Sequence, residues 1–127
     1  MKCVMDNANP IVDKSFKFAV RIVKLNNYLR DNYSEYVMSN QLLRSGTSIG
    51  ANVREAIYAQ SKADFNAKMY IALKEAGESS YWLELLERTG YLKPSHAKSI
   101  IEDCGELIKI LSSITKTLKD NARQAHS

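Results

Sequence analysis

Residues 61–90 read SKADFNAKMYIALKEAGESSYWLELLERTG, and this stretch decides the fold. Its apolar and small residues recur at alternating intervals of four and three: Phe65, Met69, Ala72, Ala76, Ser79, Leu83 and Leu86. That spacing is typical of a helix that packs nearly parallel to its neighbours in a bundle or coiled coil. Ser61 and Asp64 resemble a capping box with aspartate in the place of glutamate, and Gly90 suits the left-handed residue that ends a helix. The stretch therefore predicts a helix over about residues 62–89.

Three further segments carry the same kind of amphipathic pattern, and they predict helices over about residues 11–30, 35–58 and 96–119. Ser34 and Ser95 are the expected N-caps of the second and fourth helices. The apolar stripe of the second helix is Met38, Leu42, Ile49, Val53 and Ala56. That of the fourth is Ile100, Cys104, Leu107, Leu111, Ile114 and Leu118. Because short connections make consecutive helices antiparallel, we predict an all-α fold, an antiparallel up-down-up-down four-helix bundle forming a single domain over residues 1–127.

The composition fits a globular protein of one domain. The 127 residues are 45% hydrophobic and 25% charged, with only two prolines and five glycines to interrupt helices. No apolar run approaches the roughly 20 residues that span a bilayer, and the N-terminus lacks the apolar core of a signal peptide. We therefore expect a cytoplasmic protein with no membrane contact. Cys3 and Cys104 fit that compartment as one frayed and one buried thiol, without a disulfide.

The first helix carries two apolar stripes where a surface helix normally needs one. The first stripe is Val12, Phe16, Ala19 and Val23, and the second is Ile11, Phe18, Ile22, Leu25 and Leu29. A second stripe indicates that another subunit or a partner covers it. The candidate oligomer interface is Phe18, Ile22, Leu25 and Leu29. On this hypothesis Ile22→Glu breaks assembly more than it disturbs folding of the bundle.

A third side of the first helix is basic. Its residues are Lys14, Lys17, Arg21 and Lys24, offset only by Asp13, in a chain of net charge +4 and pI near 9.1. Such a stripe is usually a solvated face, but repeated around an oligomer it would suit phosphate backbones. Arg44 and Arg54 point away from the apolar stripe of the second helix and complete the candidate nucleic-acid-binding residues. Aromatic stacking partners are not obvious, since Tyr28 lies near the basic stripe and Tyr33, Tyr36 and Tyr58 are expected at helix ends.

A polar seam runs beside the apolar stripe of the second helix. It comprises Gln41, Ser45, Ser48, Asn52 and Glu55. We interpret the seam as a buried network that fixes the register of the bundle, and the alternative is a surface that faces a partner. Gly46 and Gly50, one turn apart, each weaken the helix, and close approach of a neighbouring backbone is the expected compensation.

The sequence carries no recognisable catalytic or metal-binding pattern. His96 and His126 lack a second ligand at helical spacing, and no Glu-x-x-His pair occurs. The chain has no P-loop, dinucleotide fingerprint or nucleophile elbow. Ser45 and Ser48 have no histidine close in sequence to act as a base. We therefore expect no metal, no cofactor and no enzymatic activity.

The central motif resembles that of a known family. Residues 41–56, 61–65, 71–76, 81–86 and 89–92 resemble the bacterial four helix bundle proteins, whose first members are encoded in intervening sequences of 23S rRNA genes. The resemblance extends over about residues 16–118. Family members often have alanine in place of Gly46, and Ala-Glu-Gly in place of Arg54-Glu55-Ala56. These departures leave the expected fold unchanged and make transfer of function less direct.

The resemblance implies an antiparallel four-helix bundle that is commonly assembled as a homopentameric barrel. It also implies similarity to the accessory variability proteins of diversity-generating retroelements, which form basic pentamers that bind reverse transcriptase and nucleic acid. Two hypotheses follow. The first is a non-enzymatic oligomeric adaptor that associates with RNA through its basic surface. The second is a structural or protein-interaction scaffold with no nucleic-acid role, whose partner would survive nuclease treatment.

Overall fold

Four helices make up the bundle in the computed structural model, which describes residues 9–125. They are α1 (Pro10–Tyr33), α2 (Val37–Ile57), α3 (Lys62–Arg88) and α4 (Pro94–Ala125). No strand occurs within the described range, so the predicted all-α four-helix bundle is confirmed. The helix bounds lie within three residues of the predicted ones except at the C-terminus, where α4 continues from residue 119 to Ala125.

Contacts between the helices establish their antiparallel order. Each helix packs against the next along the chain, and α1 packs against α4 to close the bundle. The Asn26 amide donates to the Ser39 carbonyl across the α1–α2 seam, at 3.1 Å. Across the α3–α4 seam, the Tyr70 hydroxyl donates to the Thr115 carbonyl at 3.2 Å. The α1–α4 seam is the loosest of the four.

The turn between α1 and α2 differs from the prediction that Ser34 caps α2. Ser34 instead ends α1 in the left-handed conformation, with φ 52°, and its N–H donates to the carbonyls of Arg30 and Leu29. Glu35 caps α2, because its carboxylate accepts the free backbone N–H groups of the first turn. Those donors are Val37, Met38 and Ser39, at 2.8–3.1 Å. Three charge-assisted bonds satisfy these otherwise unpaired N–H groups.

The other helix ends follow local chemistry. The Ser61 hydroxyl accepts the N–H of Asp64 at 3.1 Å, which is the N-cap half of the predicted capping box, and Gly90 has φ 88°, the predicted left-handed conformation. The predicted N-cap at Ser95 is wrong, because α4 begins one residue earlier, at Pro94. Proline is favoured at the first helical position, where its missing N–H would have no helical partner.

The hydrophobic core corrects the predicted oligomer interface. Phe18, Ile22 and Leu29 are 0–2% exposed and pack in the core of this chain's own bundle, and Leu25 is partly buried against it. Phe18, Ile22 and Leu29 are therefore unavailable to another subunit, whereas Leu25 reaches the surface at one side of α1. The other stripe of α1 is the one left at the surface, since Phe16 and Val23 are 56% and 44% exposed. The prediction for Ile22→Glu changes accordingly, because the substitution would place a carboxylate in the core.

The glycines of α2 explain why Ile22 lies inside. A Cβ built on Gly46 would lie 2.8 Å from Cγ1 of Ile22, and one on Gly50 would lie 3.3 Å from the carbonyl oxygen of Ser15. Both glycines therefore permit the close approach of α1 that their spacing predicted. This close contact turns the Ile22 side of α1 toward the core.

The polar seam is only partly buried. Ser45 is buried and accepts a hydrogen bond from the Ser79 hydroxyl of α3 at 2.9 Å, as the network interpretation requires. Gln41 and Glu55 are exposed. Ser48 and Asn52 donate to the carbonyls of residues 44 and 48 within their own helix. Glu55 pairs with Lys68 of α3 at 3.2 Å, so the seam consists of one buried contact, one exposed ion pair and a solvated margin.

Candidate nucleic-acid interface

A cleft of about 300 Å³ opens on the loose seam between α1 and α4, at the end of the bundle where α1 finishes and α4 begins. We call it the α1–α4 cleft. Its lining residues are Arg21, Lys24, Leu25, Tyr28, Leu92, Lys93, His96 and Ile100. The helical period of α1 brings Arg21, Lys24 and Tyr28 to this seam. Lys93 and His96 come from the turn before α4 and from its first turn.

Ion pairs divide the basic stripe of α1 into two parts. Lys14 pairs with Glu106, Lys17 with Asp13 at 2.9 Å, and Arg21 with Asp103 at 2.5 Å. These three cations are offset by carboxylates. In the described part of the chain, Lys24 and Lys93 have no carboxylate at ion-pair distance. Within the basic stripe, Lys24 is therefore the cation that no carboxylate of the described chain offsets, and like Lys93 it lines the cleft.

Arg44 and Arg54 lie on other faces of the molecule. Arg44 bridges the α2–α3 seam, where its guanidinium donates to Glu78 and to Glu75. Arg54 lies over the Phe16 ring at 5.7 Å, on the side where α1 meets α2. The structure thus does not bring the six predicted nucleic-acid-binding residues onto one surface.

The Arg44 ion pair is partly buried, and it changes the acidity of its partner. Glu75 is only 7% exposed and accepts from Arg44 at 2.9 Å. Burial alone would raise the pKa of Glu78, but hydrogen bonds from Arg44 and Trp82 and the charge of Arg44 hold that pKa below its usual value. These ion pairs connect α3 to α2, and the Arg44 guanidinium is bound to the carboxylates of Glu75 and Glu78.

Three tyrosines form a row beside the α1–α4 cleft. The rings of Tyr28 and Tyr33 meet edge-on at 6.0 Å, and those of Tyr33 and Tyr91 at 5.3 Å. A hydrogen bond with the Tyr28 side chain is the main cause that raises the pKa of Tyr33, and the charge of Lys93 acts in the opposite direction. Tyr28, at the cleft, is 37% exposed. The row holds its ring in a defined orientation.

Sequence reasoning found Arg21, Lys24 and Tyr28 but missed Lys93 and His96. Both missed residues are remote from α1 in sequence, and they reach it only because α4 returns antiparallel along the bundle. The pattern of α4 predicted the helix but gave no reason to relate its start to the basic stripe. The one indication in the sequence was that Lys93 and His96 stand at the start of a helix that packs on α1.

A second surface feature lies between α1 and α2. We call it the outer apolar face, and its exposed residues are Phe16, Val20 and Val23, at 40–56% exposure. Partly buried Val12 and Ala19 adjoin them. Beside Phe16 runs a groove of about 320 Å³ whose far wall includes Thr47, Ala51 and Arg54 of α2. This face is apolar, in contrast with the charged α1–α4 side.

Reactive and ligating groups are sparse in residues 9–125. No cluster of three or more His, Cys, Asp or Glu side chains in this range is placed to hold a metal ion. Burial, with a smaller contribution from Asp103, raises the pKa of the Cys104 thiol to about 12. Cys104 is buried, as predicted, whereas Cys3 and His126 lie outside the described residues. None of the described helices has the length and apolar character to cross a membrane.

Fold and surface together define the class: a small all-α bundle whose notable features are a cationic cleft and an apolar face. The chain belongs to the 23S rRNA-intervening sequence protein family, whose model matches residues 7–113. It is also similar to a crystal structure of a Bacteroides thetaiotaomicron protein of unknown function from the S23 ribosomal protein family. The two share 57% identity and a TM-score of 0.82, over 84% of this chain and 98% of that one. No curated protein matches the chain.

Proposed function

We propose that the protein is a non-enzymatic adaptor that associates with RNA through the α1–α4 cleft. The observation that carries this proposal is the position of the unbalanced cations. Lys24 and Lys93 lie at the cleft without carboxylate partners in the described chain, next to Arg21 and His96. The remainder of the basic stripe is offset by Asp13, Asp103 and Glu106.

Phosphate is the anion that this arrangement suits best. Flexible lysines at the rim of a cleft act as point charges for a backbone and read no base sequence. The cleft also adjoins the N-terminal end of α4, a helix of 32 residues whose first-turn N–H groups favour negative charge. Resemblance to proteins that form basic assemblies and bind nucleic acid supports the same ligand.

Reversing the two unpaired charges tests the proposal. At low salt, the Lys24→Glu/Lys93→Glu variant should bind a fluorescent RNA oligonucleotide at least about tenfold more weakly than wild type. A glutamate repels the phosphate, so it lowers the affinity more than a neutral residue that only removes the attraction. The matched control is Lys109→Glu/Lys116→Glu, which makes the same charge change at exposed positions of α4 away from the cleft. Equal losses in the two variants would contradict a site at the cleft, and absence of binding by wild type would remove the proposal.

We also propose that the adaptor is a homo-oligomer, with its subunits in contact through the outer apolar face. Phe16, Val20 and Val23 are large apolar side chains that one bundle leaves 40–56% exposed. Contiguous apolar area of this kind is favourable to cover. The resemblance suggests a pentamer. Self-association would also place several α1–α4 clefts on one particle and so increase its avidity for a polymer.

Light scattering at several concentrations tests this arrangement. Phe16→Glu/Val23→Glu should convert the assembly to a folded monomer, because both side chains already face solvent. Ile22→Glu, in contrast, should unfold the bundle, because Ile22 is fully buried. An assembly that persists in the folded Phe16→Glu/Val23→Glu variant would show that the subunits meet elsewhere. A protein partner resistant to nuclease would favour the scaffold hypothesis instead.

A further inference from the structure

We infer that the α1–α4 cleft takes an unpaired nucleotide, so that its ligand is single-stranded RNA and not a duplex. This inference rests on the proposed function, because it specifies the form of the nucleic acid that the same site binds. A cleft serving only backbone phosphates would need cations alone. This cleft has in addition an apolar floor and an aromatic wall.

The chemistry of the cleft is divided between floor and rim. Leu92 and Ile100 are 5% and 4% exposed and belong to the hydrophobic core, and Leu25 packs against it. Lys24 and Lys93 are exposed at the rim. A nucleotide has the same division, with an apolar base face at one end and a charged phosphate at the other. Its base would cover the floor while its phosphate meets the lysines.

Tyr28 provides the wall on which a base can stack. Tyr28 is 37% exposed, and its ring packs edge-on against the ring of Tyr33, which packs edge-on against Tyr91. A ring fixed before the ligand arrives loses little conformational freedom on binding. Stacking on a π-face tolerates any base, which agrees with cations that read only phosphate.

The size of the cleft favours one nucleotide. About 300 Å³ is the lower end of the range for small-molecule sites. In a duplex the base faces are stacked on one another, so a duplex could offer the rim its phosphates but would leave the apolar floor uncovered. Entry of a base therefore requires an unpaired strand, as in most sequence-tolerant recognition of single strands.

The experiment compares a labelled single-stranded RNA with the same RNA annealed to its complement, at one low salt concentration. Tyr28→Ala should weaken binding of the single strand by about fivefold or more, which is the contribution of one stacked base, and should change duplex binding by less than about twofold. Tyr58→Ala is the matched control, since Tyr58 is 79% exposed at the opposite end of the bundle. The conservative Tyr28→Phe variant keeps the ring and should recover single-strand binding.

The outcomes separate this inference from the proposed function. Loss confined to the single strand, with recovery by Tyr28→Phe, supports it. Unchanged single-strand binding in Tyr28→Ala, or an equal loss for both ligands, overturns it while leaving the RNA adaptor in place. Failure of wild type to bind either form would overturn the proposed function itself. Thermal unfolding followed by circular dichroism establishes that each variant is folded before its binding is compared.

Discussion

Glycines inside the helices differ in what surrounds them. Gly77 and Gly105 have no neighbouring heavy atom within 4 Å of a built Cβ, whereas Gly46 meets Ile22 at 2.8 Å. The first two thus carry the conformational cost of glycine without a packing role. Gly46 permits the α1–α2 approach that orients the whole of α1.

Alanine at these positions should have opposite effects. Gly77→Ala should raise the free energy of unfolding by about 1 kcal/mol, the difference in helix propensity between the two residues. At Gly46 the same gain is opposed by overpacking against buried Ile22, which costs about 1–3 kcal/mol. We expect Gly46→Ala to give no gain and a loss of up to about 2 kcal/mol in urea unfolding. Equal stabilisation of both variants would mean that α1 moves away from α2 freely.

Among the contacts between helices, the α2–α3 interface includes a partly buried ion pair. Arg44 donates to Glu78 and to the buried Glu75. Removal of the Arg44 side chain would leave the carboxylate of Glu75, a residue that is only 7% exposed, without this cationic partner. Arg44→Ala should therefore lower the free energy of unfolding by about 1–3 kcal/mol at neutral pH. Half of the Arg44 side chain is exposed, so solvent screening keeps the loss below that of a fully buried pair.

The same contact predicts a pH dependence. Because the pKa of Glu78 in the fold is below its usual value, the stabilisation is present at neutral pH and is lost as the pH falls through that lowered pKa. Wild type should therefore lose more stability than Arg44→Ala between pH 7 and pH 3, measured by urea unfolding at both pH values. Parallel losses in the two proteins would show that this ion pair contributes nothing.

The four helices could be predicted from the sequence because the spacing of apolar residues within one segment is enough to indicate a helix. The 4, 3 spacing from Phe65 to Leu86 established α3, and Ser61 and Gly90 located its ends. Helix caps were harder, since the Ser34 side chain suits an N-cap but the backbone there is left-handed and Glu35 supplies the cap. Competition between two neighbouring cap residues is decided by turn geometry.

The choice between the two faces of α1 could not be made from α1 alone. Phe18 and Phe16 stand on stripes of similar hydrophobicity, and the buried one is selected by Gly46 and Gly50 on another helix. The candidate site had the same limitation. Lys24 and Tyr28 are visible in the pattern of α1, but Lys93 joins them only through the antiparallel return of α4.

At the scale of the whole molecule, the α1–α4 cleft and the outer apolar face are neighbours on α1, since Val20 of the face lies one helical turn from Lys24 of the cleft. The two surfaces share no lining residue, and substitution of Phe16 and Val23 leaves the residues of the cleft unchanged. Binding to RNA and self-association should therefore be separable by mutation. A folded monomer made by Phe16→Glu/Val23→Glu should bind a short RNA with nearly the affinity of one wild-type subunit, whereas binding to a long RNA, which depends on avidity, should weaken.

The salt dependence of RNA binding tests the central claim most directly. For a single strand, each phosphate contact contributes about 0.7 to the slope of log K against log salt concentration. The account predicts that Lys24→Gln/Lys93→Gln reduces the magnitude of the wild-type slope by about 1.4, and that Lys109→Gln/Lys116→Gln leaves it unchanged. An identical slope for wild type and Lys24→Gln/Lys93→Gln would contradict phosphate binding at the α1–α4 cleft.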